Sequence, residues 1–251
     1  MDDRPAQMPK CISQEQLKLL ACLSMLLDHT GAILVAQILR SGAGGLFFRE
    51  LYTMLRTIGR MAFPIYCFLL AEGVHHTRDP RRYGLRLLIA VFLAELPFDL
   101  ALHGGFSWQN QSVMVTLLLG FLTLDSMKHC RHFLPKLLIV LPFALLAEIL
   151  QSDYGAKGVA LIAIFYLTRN IPHGRVLQFL GMWFLFSPSH LMALNWMEGI
   201  RITTQEWAVL ALIPISLYSG EKQSRSKGLQ WAFYLFYPIH LAILWLLKAA
   251  L

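Results

Sequence analysis

The chain has 251 residues, of which 56% are hydrophobic and 15% are charged, and its mean hydropathy is +0.53. So few charged residues cannot cover a water-soluble globule of this length, and the composition therefore indicates a single membrane domain over residues 1–251. The four cysteines show no paired spacing, so the sequence predicts neither a zinc site nor a disulfide framework.

Apolar runs of about 20 residues, separated by charged or turn-rich breaks, predict an all-α, polytopic transmembrane helical bundle of about nine spans, within a range of eight to ten. The approximate limits are 17–39, 51–73, 84–102, 113–127, 135–150, 157–168, 174–193, 205–219 and 231–248. The sixth run is short, which favours a half-helix or a re-entrant segment. Residues 1–16 are polar and precede a full-length apolar run, so we expect a cytoplasmic N-terminal segment rather than a signal peptide.

Lysine and arginine collect in the cytoplasmic loops of membrane proteins, so their distribution predicts which end of each span faces inside. If the N-terminus is cytoplasmic, fifteen of the 22 basic residues fall on inner segments and five on outer segments. The inner ones are Arg4, Lys10, Lys18, Arg78, Arg81, Arg82, Arg86, Lys128, Arg131, Lys136, Arg169, Arg175, Lys222, Arg225 and Lys227. We therefore expect a cytoplasmic N-terminus, and the net charge of +7 follows membrane topology rather than a nucleic-acid-binding face.

Several predicted spans contain ionisable side chains, which cost at least a few kcal/mol at bilayer depth and normally face a partner, a cavity or a substrate path. They are Asp28 and His29 in the first span, Arg60 in the second, Glu95 and Asp99 in the third, Glu148 in the fifth and His240 in the ninth. Glu95 and Asp99 stand four residues apart on one helical face. We expect them to present two carboxylates to one cavity or to Arg60.

His29 suits acid–base chemistry because an unperturbed imidazole titrates near neutrality and can accept and return a proton. Asp28 is a candidate to assist it. Neighbouring side chains on a helix diverge by about 100°, so we expect the carboxylate that orients the His29 ring to come from another helix. His240 follows Pro238, which frees backbone groups that a nearby polar side chain can satisfy.

Other interpretations are open from the residues alone. Arg60 with Glu95 and Asp99 would also form a structural ion-pair network, and His29 would also serve as a structural hydrogen-bonding group between helices. The same embedded residues are typical of a proton-coupled transporter, although the chain shows no inverted repeat. A membrane assembly factor without catalytic activity is the third alternative.

Four residues of the first span carry a resemblance to a known group of enzymes. Lys18, Ala21, Met25 and His29 have the i, i+3, i+7, i+11 spacing of the first-helix signature of the acyltransferase-3-like membrane superfamily, with lysine in place of arginine and methionine in place of valine. Within that group the chain is most similar to the TraX family, whose namesake is associated with N-acetylation of conjugative pilin. The matching stretches are 26–31, 58–65, 68–73, 95–99, 116–120 and 236–240.

The resemblance implies transfer of an acetyl or other short acyl group from cytoplasmic acyl-CoA to an amine or hydroxyl. The acyl acceptor would be a pilin or peptide N-terminus or an envelope glycan at a bacterial inner or plasma membrane. His29 would be the general base, with Asp28 and Arg60 beside it, and no metal is implied. Lys18, Glu72, Arg78, Arg81 and Arg82 are candidates to bind the CoA. Glu95, Asp99 and His240 are candidates to bind the acyl acceptor.

Lys18 and His29 are 11 residues apart, or roughly 16 Å along a helix at 1.5 Å per residue. A pantetheine arm spans that distance. The nucleotide of acyl-CoA would therefore stay near the cytoplasmic end of the first span while its thioester reaches His29.

Overall fold

The computed structural model describes residues 11–42, 44–187, 204–221 and 227–251, and within these ranges the regular structure is helical, with no β-strand. The α-helices are α1 (Gln14–Thr30), α2 (Ala36–Arg40), α3 (Leu46–Gly59), α4 (Ala62–His76), α5 (Pro80–Leu102), α6 (Val113–Lys128), α7 (Phe133–Ile149), α8 (Gly155–Leu167), α9 (Gly174–Phe186), α10 (Leu212–Ser216) and α11 (Lys227–Ala250). A π turn (Gly31–Val35) joins α1 to α2, and a 3₁₀ helix (Thr204–Ala211) precedes α10.

The prediction of an all-helical fold is confirmed. Within the described residues, three helical segments are long and apolar enough to cross a membrane, namely Gln14–Arg40, Leu46–His76 and Gly228–Ala250. The helices α8 and α9 are apolar but shorter, at 13 residues each. Nine spans and a cytoplasmic N-terminus stay predictions, and residues 1–10 and 188–193 of the predicted segments lie outside the described residues.

The first of these segments is a helix of mixed type. It begins with a capping box, in which the Ser13 hydroxyl accepts the Gln16 N–H and the Gln16 side chain accepts the Ser13 N–H. It continues from α1 through the π turn into α2. Gly31 opens that turn, and a Cβ atom there would lie 3.1 Å from Cβ of Leu55, so glycine allows α3 to pack closely at this point.

The predicted second span, 51–73, is divided into two helices. The helix α3 ends at Gly59 and α4 begins at Ala62, so Arg60 and Met61 form a break. Pro64 explains the break, because proline has no N–H to bond the carbonyl four residues earlier and its ring clashes with that carbonyl, which here belongs to Arg60. The break places Arg60 between two helix ends inside the molecule.

In the described part of the chain, the buried apolar residues form two clusters. The larger one joins α1, α4, α6 and α8 and includes Leu17, Ile65, Leu124 and Ile162. The smaller one joins α1, α4, α5 and α11 and includes Met25, Ala62, Phe98, Tyr237 and Leu241. Many other large apolar side chains point outward, and Phe92 and Phe184 are 73% and 71% exposed. An apolar outer surface of this kind fits a lipid environment.

Candidate active site

Asp28 forms the centre of an ion-pair cluster between α1 and α3. The residue is 7% exposed. Its carboxylate accepts hydrogen bonds from Arg56 Nη1 at 2.6 Å, from Arg60 Nε at 3.2 Å and from Arg60 Nη2 at 2.5 Å. A Cβ atom at Gly59 would overlap Asp28, so glycine is needed for this close approach. The prediction that Arg60 faces Glu95 or Asp99 is therefore wrong. Arg60, at the end of α3, contacts Asp28 of α1 instead of the two carboxylates of α5.

The third guanidinium nitrogen of Arg60, Nη1, donates to two further elements. It contacts Gln205 Oε1 at 3.0 Å on the 3₁₀ helix and the Tyr154 hydroxyl at 3.4 Å at the start of α8. The Tyr154 ring stacks on Phe63 with centroids 3.6 Å apart. All three guanidinium nitrogens of Arg60 are thus engaged, so a reacting oxygen bound there would share Arg60 with Asp28.

His29 pairs with His240 rather than with a carboxylate. His29 Nδ1 lies 2.7 Å from His240 Nε2, and His240 Nδ1 lies 2.7 Å from the Phe236 carbonyl oxygen. Tyr237 packs edge-on against both imidazole rings. As predicted, another helix supplies the partner of His29. The prediction that this partner is a carboxylate is wrong, because it is the imidazole of His240.

A small cavity lies against these groups and is called the site cavity here. Its volume is about 60 Å³, and its walls include Asp28, His29, Arg60, Tyr154 and Tyr237. The Tyr237 hydroxyl is buried and makes no hydrogen bond of ordinary geometry within the described part of the chain. The site cavity thus brings together an imidazole, a guanidinium and three phenols, the third phenol being that of Tyr66.

A larger cavity of about 240 Å³ lies next to the site cavity and is called the entrance cavity here. Its walls include Lys18 of α1, His76 of α4 and Arg86 of α5, together with polar residues at the start of α1. The two cavities share the side chains of Tyr66, Met114 and Leu117 as walls. The two cavities are therefore adjacent, with Lys18 in the wall of one and His29 in the wall of the other.

The residues predicted to bind CoA are placed unevenly around the entrance cavity. Lys18 lines it, with its ammonium 5.3 Å from the Phe233 ring centroid, whereas Arg78, Arg81 and Arg82 do not. Arg82 instead pairs with Asp79 at 3.0 Å on an exposed surface. The basic loop is therefore next to the cavity mouth rather than in its wall.

Glu72, which was also predicted to bind CoA, forms an ion pair within the protein instead. Its carboxylate accepts a hydrogen bond from Arg169 Nε at 2.5 Å and lies 3.4 Å from His76 Nε2. The bond to Glu72 raises the pKa of the Arg169 guanidinium. Glu72 therefore ties the end of α4 to the turn after α8.

Arg86 is a cavity residue that the sequence interpretation missed. Its guanidinium lies 5.6 Å from the Tyr83 ring centroid, and its Nε atom is buried without a hydrogen-bond partner among the described residues. The sequence analysis used Arg86 only as one of the basic residues that predict the membrane orientation. The available signal was its position one helical turn after Arg82, which places it deeper along α5.

The residues predicted to bind the acyl acceptor split into two places. His240 lies behind His29, while Glu95 and Asp99 hold the loop after α5: Glu95 accepts the Ser112 N–H at 3.0 Å and Asp99 accepts the Ser107 N–H at 3.1 Å. Neither carboxylate lines the two cavities. Among the residues that the structure describes, no group of three or more His, Cys, Asp or Glu side chains could hold a metal ion.

Comparison with known proteins gives a family match over almost the whole chain. The sequence model of the family described as TraX protein matches residues 13–248. The chain is also 31% identical over 247 residues to the "Probable fimbrial assembly protein FimC, serogroup H1" of Dichelobacter nodosus, with 91% of this chain and 93% of that protein covered. No solved structure shows a significant match. The match of these 236 positions, which include Lys18, His29, Arg60 and His240, establishes that the chain belongs to the TraX family.

Proposed function

We propose that the protein is a membrane acyltransferase that moves an acetyl or other short acyl group from acyl-CoA to an amine or hydroxyl. One observation carries the proposal: His29 lines a small cavity that is adjacent to a larger cavity bordered by Lys18 and Arg86. Cations suit the phosphates of CoA, and the apolar part of the entrance-cavity wall suits its pantetheine arm. The similarity to the TraX family supports the same activity.

The reaction needs one base and one group that stabilises negative charge. His29 Nε2 accepts the proton of the acyl acceptor while the nitrogen or oxygen lone pair forms a bond to the thioester carbonyl carbon. The tetrahedral oxyanion then collapses, the C–S bond breaks, and the CoA thiolate takes the proton from His29. The hydroxyl of Tyr237 and the guanidinium of Arg60 border the cavity and are the proposed donors to the oxyanion.

The acyl acceptor is proposed to be the N-terminus of a pilin or fimbrial subunit, with an envelope glycan as the alternative. The relative from Dichelobacter nodosus is named as a probable fimbrial assembly protein, and this supports a fimbrial substrate. Such subunits are handled at a bacterial inner or plasma membrane, which is where we place the protein. Glu95 and Asp99 would then act indirectly, by fixing the loop through which the acceptor enters.

The proposed function is tested with purified protein and acetyl-CoA labelled in its acetyl group. Acetyl-CoA should raise the thermal stability of the protein, and free CoA should appear when membranes containing the acceptor are added. Label should then be found on a protein or a glycan. Lack of binding to acetyl-CoA would overturn the proposal, and substrate flux into vesicles without covalent change would favour a transporter.

Arg86 provides a specific test of the entrance cavity. Replacing Arg86 by alanine should raise the KM for acetyl-CoA about tenfold with little change in kcat, because a hydrogen bond to a charged group contributes about 1.5 kcal/mol or more. Arg81→Ala is the matched control, since Arg81 lies on the same helix but is exposed and outside the cavity wall. Equal effects of the two variants on KM would contradict the proposal that Arg86 binds acetyl-CoA in the entrance cavity.

A further inference from the structure

The contact between His29 and His240 determines where the proton of each imidazole lies. The Phe236 carbonyl oxygen can only accept a hydrogen bond, so the His240 Nδ1 atom 2.7 Å away must carry the hydrogen. A neutral His240 then has a lone pair on Nε2. That lone pair faces His29 Nδ1, also at 2.7 Å, so His29 Nδ1 must donate.

The geometry of the two rings supports a well-aligned hydrogen bond between them. Their planes differ by 9° and their centroids are 5.0 Å apart. With the facing nitrogens at 2.7 Å, that separation is about as large as two imidazole rings joined in line allow. The N–H of His29 therefore points straight along the lone pair of His240, which is the strongest arrangement for such a bond.

We propose that His240 is a positioning residue, which holds His29 in the Nδ1–H tautomer and leaves the His29 Nε2 lone pair free to act as the base. This inference rests on the proposed acyltransferase function. The hydrogen-bonded chain runs from the Phe236 carbonyl through His240 to His29. It replaces the carboxylate that orients histidine in many hydrolases, and it does so without a negative charge in an apolar core.

The surroundings explain why an imidazole rather than a carboxylate occupies this place. The nearest carboxylate in sequence, Asp28, is taken up by Arg56 and Arg60. On the other side, Tyr237 packs against both rings, and buried Met25, Ala62 and Leu241 belong to the same apolar cluster. A further buried carboxylate here would lack a cation, whereas a neutral imidazole needs none.

Two features of helix α11 bear on the contact between His240 and His29. Pro238 lies within the helix and has no backbone N–H, so it donates no hydrogen bond to the carbonyl of residue 234, one turn earlier. At the end of the same helix, Lys248 Nζ donates to the Ala101 carbonyl oxygen on α5 at 3.0 Å. This hydrogen bond joins α11 to α5, and so helps to hold His240 at its position along α11 next to His29.

The tautomers are measured directly by NMR on protein labelled with ¹⁵N-histidine, at a pH well above the ordinary histidine pKa of about 6.5. The variants His29→Gln and His240→Gln identify the two signals among those of the nine histidines. We expect both rings to carry the proton on Nδ1. A proton on Nε2 of either ring would overturn the inference. The measurement needs no turnover, so it stands or fails separately from the acyltransferase proposal.

Kinetics of two His240 variants give the second arm of the test. His240→Phe keeps a flat ring but removes the acceptor nitrogen, and it should lower the rate of acetyl transfer about 10- to 100-fold, as loss of an orienting partner does elsewhere. His240→Gln places an amide oxygen near the position of Nε2 and should restore most of that rate. The KM for acetyl-CoA should be unchanged in both. Equal loss in the two variants would assign His240 a purely structural role.

Discussion

Replacing His29 by alanine should lower the rate of acetyl transfer by a factor of about 10²–10⁴, which is the usual contribution of a general base. Binding of acetyl-CoA should persist, because the cations and the apolar wall of the entrance cavity are untouched. The protein should also fold. The substitution leaves His240 Nε2 without its donor, but His240 Nδ1 keeps its bond to the Phe236 carbonyl, so the cost is about 1–3 kcal/mol.

The measurement is release of free CoA under single-turnover conditions, with binding of acetyl-CoA followed by the shift in thermal unfolding. His129→Ala is the matched control, because His129 is exposed at the C-terminal end of α6 and belongs to the wall of neither cavity. Its rate should equal that of the wild type. If His29→Ala retained the full rate, His29 would be a structural histidine and the base would have to be sought elsewhere.

The second large effect concerns stability and follows from the one carboxylate that serves two arginines. Replacing Asp28 by asparagine should destabilise the protein by about 3 kcal/mol or more, because both guanidinium groups remain largely buried without their counter-charge. For a chain of this size that corresponds to a fall of about 6–12 °C in Tm. Arg56→Ala should have a smaller effect, since Arg60 still neutralises Asp28.

The wild type, Asp28→Asn and Arg56→Ala are compared by thermal unfolding in one detergent at one heating rate, because unfolding of a membrane protein is commonly irreversible. Glu50→Gln, on the exposed side of α3, removes a carboxylate from the same helix as Arg56 and should change stability by no more than about 0.5 kcal/mol. A smaller loss for Asp28→Asn than for Arg56→Ala would show that the carboxylate is not the centre of the cluster.

Much of the fold was predictable because hydropathy depends on local composition. Within the described residues, each apolar run coincides with a helix or with two consecutive helices. The family assignment from motifs around His29, Arg60 and His240 is confirmed by the match over residues 13–248. The number of spans does not follow in the same way. Helices such as α8 and α9 are apolar but short, and composition alone does not state how deep they lie.

The contacts within the site were less predictable because they depend on which helices meet. The sequence identified Asp28 and Arg60 as embedded charges, yet it predicted different partners for Arg60. Pairing between α1 and α3 is decided by Gly59, whose missing side chain admits the Asp28 backbone, and no periodicity reveals such a contact. Likewise, His240 was expected near the acyl acceptor, although the helix α11 brings it behind His29 instead.

The π turn at Gly31–Val35 has a consequence for how this chain is compared with its relatives. A π turn holds one residue more than the α turn it replaces, so every side chain after it is rotated by about 100° relative to an uninterrupted helix. The residues of α2 therefore face directions that a helical wheel drawn from His29 would assign to their neighbours. A relative with a plain α-helix here would align in three dimensions only if one residue of this chain were left unmatched between His29 and Arg40.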